Sequence, residues 1–154
     1  MEFRRAKESD TDGILRLLSQ VLEVHAHIRP DIFISGTTKY TRKELAVLIQ
    51  ESQVYVASGE NGEVLGYAIC IIRGVAFTTT MHKSKKLFID DFCIDENLRG
   101  KGIGKALFEY VKEQALALDC DEVTLAVWEG NDDARGFYDK MGMKPKETIM
   151  ELKL

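Results

Sequence analysis

Leu98–Leu107, LRGKGIGKAL, sets three glycines at alternate positions (Gly100, Gly102 and Gly104) among the cations Arg99, Lys101 and Lys105. A helical pattern follows at once. Ile103, Leu107, Tyr110, Val111, Gln114 and Leu118 trace one face, which predicts a helix over about 103–118. Ahead of the glycines, Leu87–Asp95 (LFIDDFCID) reads as a strand of β-formers interrupted by two acids. The local order is therefore strand, glycine turn, helix. Glycine costs about 0.5–1 kcal/mol against alanine inside an element, so three at this junction need a reason. Without a Cβ the backbone turns tightly and a ligand can approach its amides. The first turn of a helix leaves N–H groups unpaired and carries partial positive charge. With three cations alongside, the stretch suits a diphosphate.

Two phosphate loops fail against it. A Walker A loop needs glycine at 99 and Ser or Thr at 106, where the chain has Arg99 and Ala106. The dinucleotide fingerprint needs glycine at 105, where Lys105 stands, and it usually opens a βαβ unit early in the chain. A glycine-rich connector with no ligand is the bland alternative.

Outward from the turn, Glu2–Ala6 reads as a first strand. Ser9 or Asp10 can cap a helix carried by Ile14, Leu17, Leu18, Val21 and Leu22, which fades at His25–Arg29 before Pro30. Residues 31–40 are expected to be a loop. Thr41 and Glu44 form a capping box for a second helix with Leu45, Leu48 and Ile49 inward. Gln53–Ser58 and Val64–Arg73 read as strands around the turn at 59–63, with Gly66 marking a bulge. Residues 74–86 are a polar connection. Glu122–Trp128 is a strand, and Ala134, Phe137, Tyr138 and Met141 mark a short helix that Gly142 ends in the left-handed conformation. KETIMELKL (146–154), with Thr148, Met150, Leu152 and Leu154 alternating, reads as a final strand. The order β-α-α-β-β-β-α-β-α-β predicts one α/β or α+β domain over 1–154.

Composition bounds the function. The chain has 154 residues, 45% apolar and 30% charged, the profile of a globular domain. No apolar run reaches the roughly 18–20 residues that span a bilayer, and MEFRRAKESD lacks the apolar stretch of a signal peptide. A cytoplasmic protein with no membrane partner is expected. A net charge of −4 argues against a general nucleic-acid binder. Cys70, Cys93 and Cys120 have no metal spacing and read as buried thiols, so no metal is expected. His25 and His27 fall where a helix C-terminus favours a cation, with a place in a substrate wall as the sharper alternative.

The segment IDDFCIDENLRGKGIGKALFEYV resembles the coenzyme A motif of the GNAT superfamily of N-acetyltransferases. NDDARGFYDKMGM resembles that family's second signature, with Met143 in place of the usual Phe after Gly142. Both motifs stand in family order, and the element order agrees over nearly the whole chain. The resemblance implies a mixed central sheet of about six to seven strands with helices on both faces. It implies transfer of acetyl from acetyl-CoA to a primary amine, of a polyamine-like small molecule or of a protein, by direct attack, and a possible homodimer. Pyrophosphate would lie on the amides of Arg99, Gly100, Lys101, Gly102, Ile103 and Gly104, with Lys105 beside them. The pantetheine arm would pair with the backbone of Phe92, Cys93 and Ile94, and Asn131 would touch its end. Tyr138 matches the family's general acid. The acceptor would lie among the first two helices, their loop and the connection before the fourth strand.

The chemistry needs a proton removed and a proton supplied. A primary amine has a pKa of about 10.4 and is mostly ammonium at neutral pH. It must lose a proton to attack, and the departing thiolate must gain one. Asp90 and Asp91 are the base candidates, directly or through water, because strands deplete Asp. Strand alternation sends them to opposite faces, so one is expected in the cleft and the other elsewhere. Either can instead attract a cationic amine. Tyr138 can also be one more apolar contact of its helix, and Cys93 need not be a nucleophile. LEVHAHIRPDIFISG and GVAFTTTMHKSKK hold no legible acceptor code. The rival function is an acyl-CoA-binding sensor without catalysis.

Overall fold

β1 (Glu2–Arg5) opens the chain and leads through one 3-10 turn, Glu8–Asp10, into α1 (Thr11–Ile28). α2 (Arg42–Glu51), β2 (Gln53–Ser58), β3 (Val64–Val75) and β4 (Ser84–Ile94) follow. After a second 3-10 turn, Glu96–Leu98, come α3 (Ile103–Ala117), β5 (Glu122–Leu125) and α4 (Asp132–Lys140). The computed structural model describes residues 1–75 and 78–154.

The strands lie in the order β1-β2-β3-β4-β5. The first four pair antiparallel, and β5 pairs parallel to β4 after the α3 crossover. Alternation along β2 divides the core in two. Val54 and Val56 meet Ile14, Leu17 and Leu18 of α1, whereas Tyr55 and Ala57 meet Leu107, Phe108 and Val111 of α3. Helices thus cover both faces, as expected.

Local chemistry sets the helix ends. The Thr41 side chain accepts the Glu44 N–H while the Glu44 carboxylate accepts the Thr41 N–H, so the expected capping box forms. α4 ends in a Schellman motif: Met143 N–H donates to Tyr138 O, Gly142 N–H to Asp139 O, and Gly142 has φ +87°. The carboxylate of Asp10 is spent differently from a plain cap. It pairs with Arg4 at 2.7 Å and accepts the Lys7 N–H at 2.7 Å.

Three boundaries differ from expectation. β3 runs to Val75 and β4 begins at Ser84, so both ends of the expected connection 74–86 are strand; residues 76 and 77 lie outside the described residues. β5 stops at Leu125 instead of reaching Trp128. The final strand is absent, so the sheet has five strands, not six to seven. Residues 144–154 form no helix or strand, with Ile149, Met150, Leu152 and Leu154 at 85% exposure or more. An alternating pattern makes a strand only where an edge and an apolar face await it. Within one chain this tail does not pair with the free edge of β5 and buries none of its apolar side, and ion pairs hold it instead: Lys146–Glu122, Arg29–Glu151 and Lys153–Asp31.

Candidate active site

β4 does not alternate evenly. Ile69 pairs with Asp91 and Cys70 with Ile89, so Asp90 is an extra residue in the ladder. Such a bulge shifts the side-chain phase by one. Ahead of it Leu87 and Ile89 face the α3 core; beyond it Cys93 faces the α1 core, with Ile94 and Phe92 on the α3 side. The expectation of opposite faces for Asp90 and Asp91 is therefore wrong. Both carboxylates turn to the α1 side and meet at one point.

That point is the ammonium of Lys39. Its Nζ lies 3.0 Å from Asp90 Oδ2 and 3.6 Å from Asp91 Oδ2, and it donates to the Asp90 carbonyl at 2.8 Å. The Tyr40 hydroxyl donates to Asp90 Oδ2, and the Tyr67 hydroxyl to Asp91 Oδ1 at 2.8 Å. Asp91 is buried, and burial pushes its carboxyl above the usual range against the pull of Lys39, Tyr67 and His25. Burial also lowers His25 and raises the phenols of Tyr40 and Tyr67, which therefore stay protonated and donate. Beside them the His25 ring lies tilted against Phe33, centroids 5.1 Å apart, and Phe33 meets Trp128 edge-on at 5.3 Å. A cleft between α1 and the start of α4 carries Glu23, Glu96, Asp132 and Asp133 on its walls.

The glycine turn has three glycines with two duties. Gly100 and Gly102 have φ +77° and +83°, and a Cβ on either would meet nothing within 4 Å, so backbone conformation demands them. Gly104 lies inside α3, where a Cβ would stand 3.3 Å from Phe137 Cε2, so close packing favours glycine there. Gly102 is the N-cap of α3 and makes no side-chain cap. The opening amides of this 15-residue helix, Ile103 to Lys105, have no intrahelical acceptor. Arg99, Lys101 and Lys105 are exposed around them. This cradle fits a pyrophosphate.

The ladder from β4 to β5 ends at Ile89–Leu125, so β4 has an open edge beyond the bulge. The Asp95 N–H donates to Leu65 O, which sets the phase: Cys93 turns its backbone groups to β3, while Phe92 and Ile94 turn theirs outward. Two of the three residues expected to pair with a pantetheine arm are thus free to do so, and Cys93 is not. Burial pushes the Cys93 thiol up to about 12, which keeps it from nucleophilic use near neutral pH.

Tyr138 packs among Phe92, Phe108 and Phe137, with ring centroids 6.4, 6.2 and 5.1 Å away. Burial, then the charge of Asp91, raises its phenol. Among the described residues its hydroxyl has no hydrogen-bond partner. Asn131 caps α4 by accepting the Ala134 N–H at 3.3 Å, a structural duty the sequence did not suggest. The sequence also gave no sign of Lys39, Tyr40, Tyr67, Phe33 or Trp128. Lys39 and Tyr40 lie about fifty residues from Asp90 in the chain, and no spacing rule reaches that far.

The profile of the acetyltransferase (GNAT) family matches residues 19–143. The thialysine N-epsilon-acetyltransferase of Bos taurus is 28% identical over 152 residues, covering 91% of this chain and 82% of its own. A crystal structure of a mutant BH1408 protein from Bacillus halodurans superposes with a TM-score of 0.95 at 33% identity, covering 100% of this chain and 99% of that one. Glucosamine-6-phosphate N-acetyltransferase from Arabidopsis thaliana, at 22% identity and a TM-score of 0.70, covers 99% of this chain and 97% of its own, and shares the fold.

Proposed function

The chain belongs to the acetyltransferase (GNAT) family, and from that premise we propose that it transfers acetyl from acetyl-CoA to the primary amine of a small cationic molecule. The observation that carries this reading is the bulge at Asp90. It turns two carboxylates to one side of the sheet, next to the open edge of β4. A cationic amine is drawn there by charge. The relative that acetylates thialysine acts on an amine of this chemical type.

Each residue has a proposed task. The amides from Arg99 to Gly104, with Lys105 beside them, hold the pyrophosphate. Outward backbone groups of Phe92 and Ile94 hold the pantetheine arm, and Asn131 borders its end. Acetyl-CoA, once bound, supplies an activated acyl group. Asp91, raised by burial, accepts the ammonium proton directly or through water. Asp90 holds the ammonium in register. Tyr138 offers its free hydroxyl proton to the departing sulfur. A homodimer joined through the exposed tail completes the proposal.

Thiol release from acetyl-CoA with a panel of diamines, amino acids and amino sugars tests it. Turnover with cationic amines, lost in Asp91→Asn, supports the reading. Acetyl-CoA binding with no amine acetylated would overturn it in favour of a sensor.

A further inference from the structure

The ammonium site at the Asp90 bulge is already filled by the molecule. Lys39 stands on the segment joining α1 to α2, and its Nζ takes two carboxylates and one carbonyl of β4. The Tyr40 ring centroid is 5.6 Å away and adds an aromatic face. This is the set of groups that recognises an alkylammonium, and a lysine side chain is an alkylammonium. We propose that Lys39 is a tethered surrogate for the acceptor: its ammonium fills the subsite at the Asp90 bulge, and an acceptor enters only as Lys39 withdraws. The inference rests on Asp90 and Asp91 being the acceptor site.

The surroundings suit an exchangeable occupant. The Lys39 side chain is 39% exposed, whereas those of Asp90 and Asp91 are 14% and 5% exposed. Lys39 is therefore the member of the cluster nearest to water and the one placed to leave it. Tyr40, next in the chain, packs on the α1 core and donates to Asp90, so the subsite keeps its shape when Lys39 leaves. An empty subsite would hold two carboxylates together with no cation, which is costly for Asp91 at its depth. Self-occupation lowers that cost at rest. The incoming amine replaces Lys39 contact for contact, so its apparent affinity is its intrinsic affinity reduced by the fraction of sites Lys39 holds.

Lys39→Met and Lys39→Arg, compared with the parent on the best amine of the panel at saturating acetyl-CoA, test the idea. Lys39→Met should lower the amine KM at least fivefold, with the effect on KM rather than kcat. Lys39→Arg, which keeps the cation, should stay near the parent. Calorimetry of the same amine against protein loaded with coenzyme A, where no transfer occurs, should show the same gain in affinity. Thermal unfolding confirms that each variant is folded. An unchanged or raised KM in Lys39→Met overturns the surrogate role, and a fall in kcat alone makes Lys39 part of the chemistry instead. Asp90→Asn and Asp91→Asn that leave the amine KM and kcat unaltered would overturn the acceptor site itself, and Lys39 with it.

Discussion

Asp91 is a carboxyl kept where water is scarce, and its protonation links stability to activity. Its folded pKa lies above the ordinary value, so between the two the folded chain binds more protons than the unfolded one. Stability from this group is present below the unfolded pKa and is lost as pH rises through the folded value. At neutral pH the buried charge is a burden that function keeps. Asp91→Asn retains an acceptor for the Tyr67 hydroxyl and removes the charge. Its melting temperature at pH 7 should equal or exceed the parent's, and the difference should shrink as pH falls toward the carboxylate range. A clear drop at pH 7 would mean that Lys39 and Tyr67 outweigh burial. Tyr138 separates fold from chemistry in another way. Tyr138→Phe keeps the ring among Phe92, Phe108 and Phe137 and removes only the free hydroxyl. Acetyl-CoA affinity and melting should hold while turnover falls about 100-fold, the low end for loss of a general acid. Unchanged turnover would return Tyr138 to a packing role.

Elements show which physical signals travel through sequence and which do not. Short-range chemistry was legible: Thr41 with Glu44, Gly142 after α4, and the strand–turn–helix around Gly100 and Gly102 all form as their residues imply. Here the determining contacts lie within a few residues. The bulge at Asp90 was not legible, because LFIDDFCID has apolar residues on both faces either side of the two acids and so fits either phase. One misplaced residue reversed the facing of Asp91, and with it the geometry of the site. The bulge at Gly66 was nearly placed: Ala57 pairs with Gly66 and Ser58 with Val64, so the extra residue is Leu65. Gly102 allows a direct test at this scale. Gly102→Val puts a β-branched residue at φ +83°, a strain of about 1–3 kcal/mol, and sets a side chain among the cradle's amides. Acetyl-CoA binding by calorimetry should be lost while circular dichroism shows the fold intact. Retained affinity would remove the glycine turn from the pyrophosphate site.

At the scale of the whole molecule, the alternation of Thr148, Met150, Leu152 and Leu154 is real and has no partner in its own chain. β5 closes the sheet with four residues, and its outer edge is open. Open edges invite another strand. The tail passes Glu122 at the start of β5, through Lys146, without forming a ladder with it. A strand from a second copy, laid along β5, would pair the open edge and bury the apolar side of the tail while leaving Glu151 and Lys153 outward. A two-fold pair of chains meets both needs at once, since each copy offers the same edge and the same tail. Light scattering should therefore find a dimer, with a melting temperature that rises with protein concentration. Substituting Met150→Asp and Leu152→Asp together should yield monomers. In a lone chain these two side chains are 85% exposed, and their replacement would change nothing. A parent that is monomeric at all concentrations, or a double variant indistinguishable from it, would leave the tail as free chain and the sheet at five strands.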